Sequence, residues 1–318
     1  MALDEVDLIK RYFAPLSAPG AVSLTDDLAH VTGGPDLLIT SDTIAENVHY
    51  LPSDPPSSIA QKLLRVNLSD LAAKGGTPLG YMLNATFSHH INESWIADFA
   101  RGLEEDQERF DLKLLGGDTV THDGPQVFSL TLLGQAPSII PRRNAAQPGD
   151  AIAVSGKIGD AVLGLALLKG DLKDVLEPSL RDILVNRYRK PEPRLQLGQK
   201  LAAAGCVHAV MDISDGLIGD LGHILKESKC GAEIDITKIP LRANFEAWVE
   251  RMLTGGDDYE LLMTLPLNRL KEAKEIASSC QVPLTAIGQI IPGVELTLRD
   301  AKQLPIMIKK TGYRHVFK

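Results

Sequence analysis

Seven aspartates stand in short turns rich in small residues: Asp26, Asp27, Asp42, Asp70, Asp118, Asp212 and Asp215. Their settings are TDDLA, ITSDT, NLSDLAA, LGGDT and DISDG, each at or near the edge of an apolar run where a strand or helix begins or ends. Such a set suggests carboxylates gathered around hard cations, and cations held this way usually serve phosphates. In ITSDT the oxygens of Thr40 and Ser41 and the carboxylate of Asp42 make a hard oxygen-donor group suited to Mg2+. Helical spacing puts Asn67 and Asp70 on one face. In DISDG, two carboxylates three residues apart can face one cavity, and the N-terminus of the helix that follows can receive phosphate. LGGDT reads as a glycine turn where backbone approaches a ligand closely. TGGDDYE adds two carboxylates ahead of a strand. Taken singly, each motif is equally a helix cap, a turn or an exposed helix face. His49, Tyr313 and the Arg142-Arg143 pair, taken singly, read as packing or solvated side chains.

The elements that must position these residues alternate along the chain. A short helix is expected at 3–12, a strand at 36–40 ending at Ser41-Asp42, and a helix from Ser57 or Ser58 to about Ala73, closed by Gly75-Gly76. A strand follows at 81–87 and a helix at 92–109, with Ile96, Phe99 and Leu103 on one face. DLKLLGG reads as a strand ending in a glycine turn, and QVFSLTLLGQA as another strand. The stretch 138–150, rich in Pro, polar and small residues, reads as a linker. Beyond it come a strand at 151–156, helices at 159–168, 177–187 and 194–204, and VHAVMDIS running into an amphipathic helix; AEIDI, YELLMTL, LTAIGQI and VELTL are later strands. Two domains are expected, 1–140 and 141–318, the first α+β and the second mixed α/β.

Composition removes several function classes. The 318 residues are 44% hydrophobic and 23% charged, ordinary for a soluble globular chain, with a net charge of −8 that disfavours nucleic acid. No apolar run approaches the roughly 18 to 20 residues a membrane span needs, and the acidic MALDEVDLIKRYF lacks the features of a signal peptide, so a cytoplasmic protein is expected. Three scattered cysteines, Cys206, Cys230 and Cys280, make neither a disulfide framework nor a zinc site. The P-loop, the Rossmann fingerprint, the protein-kinase motifs and the G-x-S-x-G elbow are absent, so any use of ATP requires a less common fold.

The ordered motifs closely resemble the thiamine-monophosphate kinases, members of the ATP-binding superfamily that includes aminoimidazole ribonucleotide synthetase and selenophosphate synthetase. The matches are DD at 26–27, ITSDT at 39–43, His49, VNLSDLAAKG at 66–75, LLGGDT at 114–119, RNAAQPGD at 143–150, DISDGLIGDLGHI at 212–224, GGDDYEL at 255–261, IGQI at 287–290 and GYRHV at 312–316. The resemblance implies a two-domain aminoimidazole ribonucleotide synthetase-like fold. Its N-terminal α+β sheet domain dimerises, and its C-terminal domain is mixed α/β. It implies a homodimer that binds ATP between the domains, with several Mg2+ ions, and transfers phosphate directly to thiamine monophosphate. It implies Asp27, Thr40, Ser41, Asp42, Asp70, Asp118, Asp212 and Asp215 as metal ligands. Gly117, Asp118, Arg143 and Ser214 are implied as ATP contacts, and His49, Asp257 and Tyr313 as substrate contacts, with Tyr313 near the thiamine rings. No residue is implied as an acid or base. Two positions depart from the pattern: Thr25 replaces the usual glycine before the DD pair, and Asp257 replaces a glutamate. The alternatives are another ATP-using synthetase of the superfamily, or a non-catalytic protein binding thiamine phosphate or nucleotide. The absence of cysteine before Cys206 argues against a selenophosphate synthetase.

Overall fold

The computed structural model describes residues 25–26, 29–31, 36–173, 176–306 and 312–313; the helix expected at 3–12 and Asp27 lie outside them. The first half runs β1 (Ala29–Val31), β2 (Leu37–Ala45), α1 (Pro56–Ala73), β3 (Thr77–Ser88), α2 (Glu93–Phe110), β4 (Lys113–His122) and β5 (Val127–Gln135). Its sheet has the order β1-β2-β5-β3-β4, antiparallel except where α2 carries the chain from β3 to a parallel β4. The second half runs β6 (Ala151–Ser155), α3 (Asp160–Lys169), α4 (Pro178–Arg189), α5 (Leu195–Ala204), β7 (Ala209–Asp212), α6 (Leu217–Ser228), β8 (Gly231–Asp235), α7 (Val249–Thr254), β9 (Leu261–Leu265), α8 (Leu270–Ser279), β10 (Leu284–Ile291), β11 (Leu296–Arg299) and β12 (Pro305–Ile306). These strands form a second sheet, ordered β12-β11-β8-β10-β6-β9-β7. The α+β, two-domain fold read from the sequence is the one observed.

Helix α1 joins the two halves. It packs on β2 and β5 on one side and on α5 and β7 on the other. Leu63, Leu64, Leu68 and Leu71 are at most 1% exposed, each contributing roughly 2 kcal/mol of burial free energy. A helix enclosed on all sides must also neutralise its charges. Arg65 does so through two 2.7 Å bonds to Asp106 of α2, and Lys74 through Asp26 at 2.8 Å and the Val210 carbonyl of β7 at 2.9 Å. Helix α1 starts at Pro56 with Pro55 as N-cap, and neither Ser57 nor Ser58 is the cap. Helix α2 is capped by Asn92, whose Oδ1 accepts from the Trp95 N–H at 3.0 Å.

Two expected turns are strand interior. Strand β2 continues through Ser41-Asp42 to Ala45, because β5 pairs with it along its whole length, Leu37 opposite Gln135 to Ala45 opposite Val127. Strand β4 continues through LGGDT to His122, paired in parallel with β3 apart from a register shift at Leu115. Gly117, at φ +150°, is what that pairing needs: a Cβ there would stand 1.8 Å from the Leu83 carbonyl oxygen.

Candidate functional site

The site is assembled from two facing sets of backbone. On one side, strand alternation turns Thr40 and Asp42 of β2 toward α1. Asp70 accepts from the Thr40 hydroxyl at 2.5 Å, and Asn67 Oδ1 accepts from the Asp42 N–H at 3.0 Å while its own amide donates to the Leu63 carbonyl at 2.9 Å. Asn67 thus ties the Asp42 backbone to the helix, and the i, i+3 spacing read from NLSDLAA is the reason one helix face reaches both strand positions. The same alternation sends the Ser41 hydroxyl to the opposite face, where it donates to the Leu130 carbonyl at 3.1 Å and lies 3.0 Å from the Thr131 hydroxyl.

On the other side, the DISDG and GGDDYE segments pair beyond the ends of β7 and β9. The N–H groups of Asp257 and Tyr259 donate to the carbonyls of Ser214 and Ile213 at 2.9 and 2.8 Å, and Ile213 N–H donates to the Glu260 carbonyl at 2.9 Å. Gly256 permits this approach, since a Cβ there would lie 2.1 Å from the Ser214 carbonyl oxygen. Tyr313 N–H closes the arrangement on the Asp215 carbonyl at 3.0 Å. Asp220, on the first turn of α6, accepts from the N–H groups of Asp215 and Gly216 at 3.0 and 3.1 Å and so holds the DISDG turn in shape.

Between the two sides lies a cavity of about 960 Å³. Asp42, Asp70, Asp212, Ser214 and Asp215 line it, and so do His49, Asp257 and Tyr313; Ser41 borders it too, although its hydroxyl is turned to the opposite face. Thr40 is buried directly behind, on Asp70. Five carboxylates face the space against two cations, Lys169 and Arg251. Loss of solvent, with Asp215 alongside, pushes the Asp42 carboxyl up to about 6; the same enclosure, with Asp42 alongside, pushes Asp212 up to about 6. Asp70 is driven well above the carboxylate range by burial and by Asp42 and Asp212. Carboxylates held this way either keep protons or gain cations. All the donors are hard oxygens, a set that fits Mg2+ bound by one or two carboxylates together with phosphate oxygens. Among the described residues, no three His, Cys, Asp or Glu side chains form a closed cage for an ion by themselves.

His49 Nδ1 accepts from the Ala45 N–H at 3.1 Å, which makes the neutral ring the Nε2–H tautomer, a donor to anions. The other sequence-derived residues fall elsewhere. Gly117 and Asp118 sit on β4, the exposed edge of the first sheet, and are not among the residues lining this cavity. Arg143 lies behind the lining, its Nε 3.8 Å from Asp26. Asp26, given no role by the motifs, anchors its segment to Lys74, to Arg142 at 3.2 Å and to Arg143; burial opposes its charge, but these cations hold its carboxyl below the usual range. Lys62, Asp220 and Tyr259 were missed. Two signals were readable: a carboxylate in the first turn of the helix after DISDG, and a lysine inside the apolar run of α1.

Comparison with known proteins bears on this arrangement. Residues 25–136 match the AIR synthase related protein N-terminal domain, and residues 147–301 the C-terminal domain. Thiamine-monophosphate kinase of Caulobacter vibrioides is 40% identical over 91% of this chain and 84% of its own length, and that of Escherichia coli 37% identical over 99% of each. The chain belongs to the thiamine-monophosphate kinase family. A solved structure of AaThiL complexed with AMPPCP and TMP superimposes on this member with a TM-score of 0.85, at 28% identity, covering 99% of both chains.

Proposed function

We propose that the chain transfers the γ-phosphoryl group of ATP to the phosphate of thiamine monophosphate, giving thiamine diphosphate and ADP. The observation that carries this reading is the single cavity lined by carboxylates from both halves of the chain, with His49, Asp257 and Tyr313 on the same walls. Membership of the thiamine-monophosphate kinase family and likeness to a structure complexed with AMPPCP and TMP support it. The lining suits such a substrate: carboxylates at Asp42, Asp70, Asp212 and Asp215 for cation-bridged phosphates, and Ile44, Val48, Val162 and Leu165 for the flat faces of its rings.

The acceptor phosphate has a second pKa of about 6 and is largely dianionic near neutral pH, so no general base is required. The barrier is electrostatic, since two unit charges 4 Å apart repel by roughly 4 kcal/mol at an effective dielectric near 20 and several such pairs are involved. Mg2+ bound at the aspartates would screen phosphate from phosphate. The residues of the chain hold and orient: Asn67 sets Asp42, Asp220 sets the Ser214–Asp215 turn, and His49 Nε2–H is a donor for phosphate. Arg143, Gly117 and Asp118 remain proposed ATP contacts, and Asp27, Thr40 and Ser41 proposed metal ligands, with Asp118 among them.

A homodimer is part of the reading. Leu79, Met82, Leu114, Leu115 and Val120 are exposed together on the β3–β4 edge, a patch that suits a second copy. The proposed domain boundary at 140–141 falls in the interval between the two matched regions. No helix among the described residues is long and apolar enough to cross a membrane, which is compatible with the proposed cytoplasmic location.

The test is ADP formation with ATP, Mg2+ and thiamine monophosphate, with free thiamine and an aminoimidazole precursor as controls. ADP release that depends on thiamine monophosphate is expected. Tight binding without ADP release would leave a binding protein, and release only with the aminoimidazole precursor would leave a synthetase.

A further inference from the structure

Behind the substrate walls lies a buried cation that neither the motifs nor the proposed chemistry uses. Lys62 of α1 is 2% exposed, and it is not among the residues lining the cavity. Its ammonium donates to the His49 carbonyl at 2.7 Å and to Asp257 Oδ2 at 3.0 Å, and sits 4.0 Å from the centroid of the Tyr188 ring. The Tyr188 hydroxyl in turn donates to the same His49 carbonyl at 3.4 Å. Three partners match the three N–H directions of an ammonium, with the ring face taking the third.

We propose that Lys62 is a positioning residue for the acceptor substrate: it fixes the separation of His49 and Asp257 across the cleft. This rests on the reading of the cavity as a thiamine monophosphate site. The three groups it joins come from the loop after β2, the segment before β9, and α4. The metal-facing end of the cleft is tied separately, through Asn67 and Asp70. Asp257 is a non-glycine residue at φ +76°, a backbone state that must be held by its surroundings. Its carboxylate is 23% exposed and lines the cavity, so Lys62 also limits the negative charge it presents there.

Removing Lys62 should therefore loosen the acceptor site and leave the nucleotide site alone. In steady-state assays of the full chain, Lys62→Met is expected to raise KM for thiamine monophosphate about tenfold or more while KM for ATP and the Mg2+ midpoint change by less than about twofold. In the double variant Lys62→Met/Asp257→Asn, the two effects are expected to be strongly non-additive, the pair costing little more than either change alone. A merely structural lysine would, when removed, lower the yield of folded enzyme or raise both KM values alike, without this split. Lys62→Arg keeps the charge, and it supplies the same measurement if Lys62→Met fails to accumulate; a smaller rise in acceptor KM alone is expected. Additive effects of Lys62 and Asp257, or equal changes in both KM values, would overturn the assignment. A wild-type enzyme that makes no ADP from thiamine monophosphate overturns the substrate reading itself, and the role of Lys62 with it; an active wild type with an unaltered Lys62→Met overturns the role alone.

Discussion

Asp42 and Asp118 look alike in sequence, each an aspartate beside small residues at the end of an apolar run, yet they occupy opposite kinds of strand. Asp42 lies on β2, covered by α1, which delivers Asn67 to its backbone and Asp70 to its neighbour Thr40. Asp118 lies on β4, an exposed edge strand, where among the described residues its Oδ1 accepts from the adjacent Thr119 N–H at 2.9 Å. What separates them is the partner element, and no local motif encodes that. A carboxylate enclosed by its own chain is committed to the cavity. One on an exposed edge beside Leu114, Leu115 and Val120 can serve a phosphate site only where another surface meets that edge.

The sharpest test of the first half of this contrast is Asp42→Ala, expected to lower kcat about a thousandfold with thermal stability nearly unchanged. Near-normal turnover at saturating Mg2+ would remove Asp42 from the metal site. The second half is tested by mixing. If Asp118 serves the site of a second copy, Asp42→Ala and Asp118→Ala enzymes, each inactive alone, should recover about one quarter of wild-type activity on equal mixing, since half the dimers are mixed and each retains one intact site. No recovery, with both variants dimeric, would put Asp118 in its own chain's site. A smaller effect is expected for Asn67→Ala. Losing the bond to the Asp42 N–H leaves the carboxylate present but free to shift, so a fall in kcat of about tenfold is expected, with the Mg2+ midpoint raised. An unchanged Mg2+ titration would make Asn67 a packing residue.

The same distinction governs what was legible in the sequence. Helices α3, α4 and α5 fall within one or two residues of their expected bounds, because apolar periodicity and the flanking Gly and Pro residues are local signals. Strands β2 and β4 were cut short at Ser41-Asp42 and at Gly116-Gly117, because turn-forming residues were read without the long-range partners, β5 and β3, that hold them extended. Helices α7 and α8 were not expected at all. In the site, the aspartate motifs stood out as a set, but the contacts that arrange them did not. The apolar run around Lys62 marks it as a buried lysine, but its partner Asp257 lies 195 positions away and is not marked by it. Asp26 is a similar case: the motifs gave it no role, and its contact with the buried Lys74 reveals an anchor.

That anchor bears on Thr25, where the family resemblance leads to an expectation of glycine. If the loop owed its shape to residue 25, a Cβ there would disturb metal or phosphate binding. One residue later, Asp26 is held by Lys74 at 2.8 Å and by Arg142 at 3.2 Å. Lys74 is fully buried and fixed in turn by the Val210 carbonyl. Thr25→Gly is therefore expected to change kcat and the Mg2+ midpoint by less than about twofold, and to cost at most about 1 kcal/mol through the greater freedom of the unfolded chain. Lys74→Met leaves Asp26 buried beside fewer cations and should cost about 3 kcal/mol in denaturant unfolding. The pair of measurements separates the two causes. A Thr25→Gly enzyme with a tenfold change in its Mg2+ requirement, and a Lys74→Met enzyme of unchanged stability, would return control of the loop to residue 25.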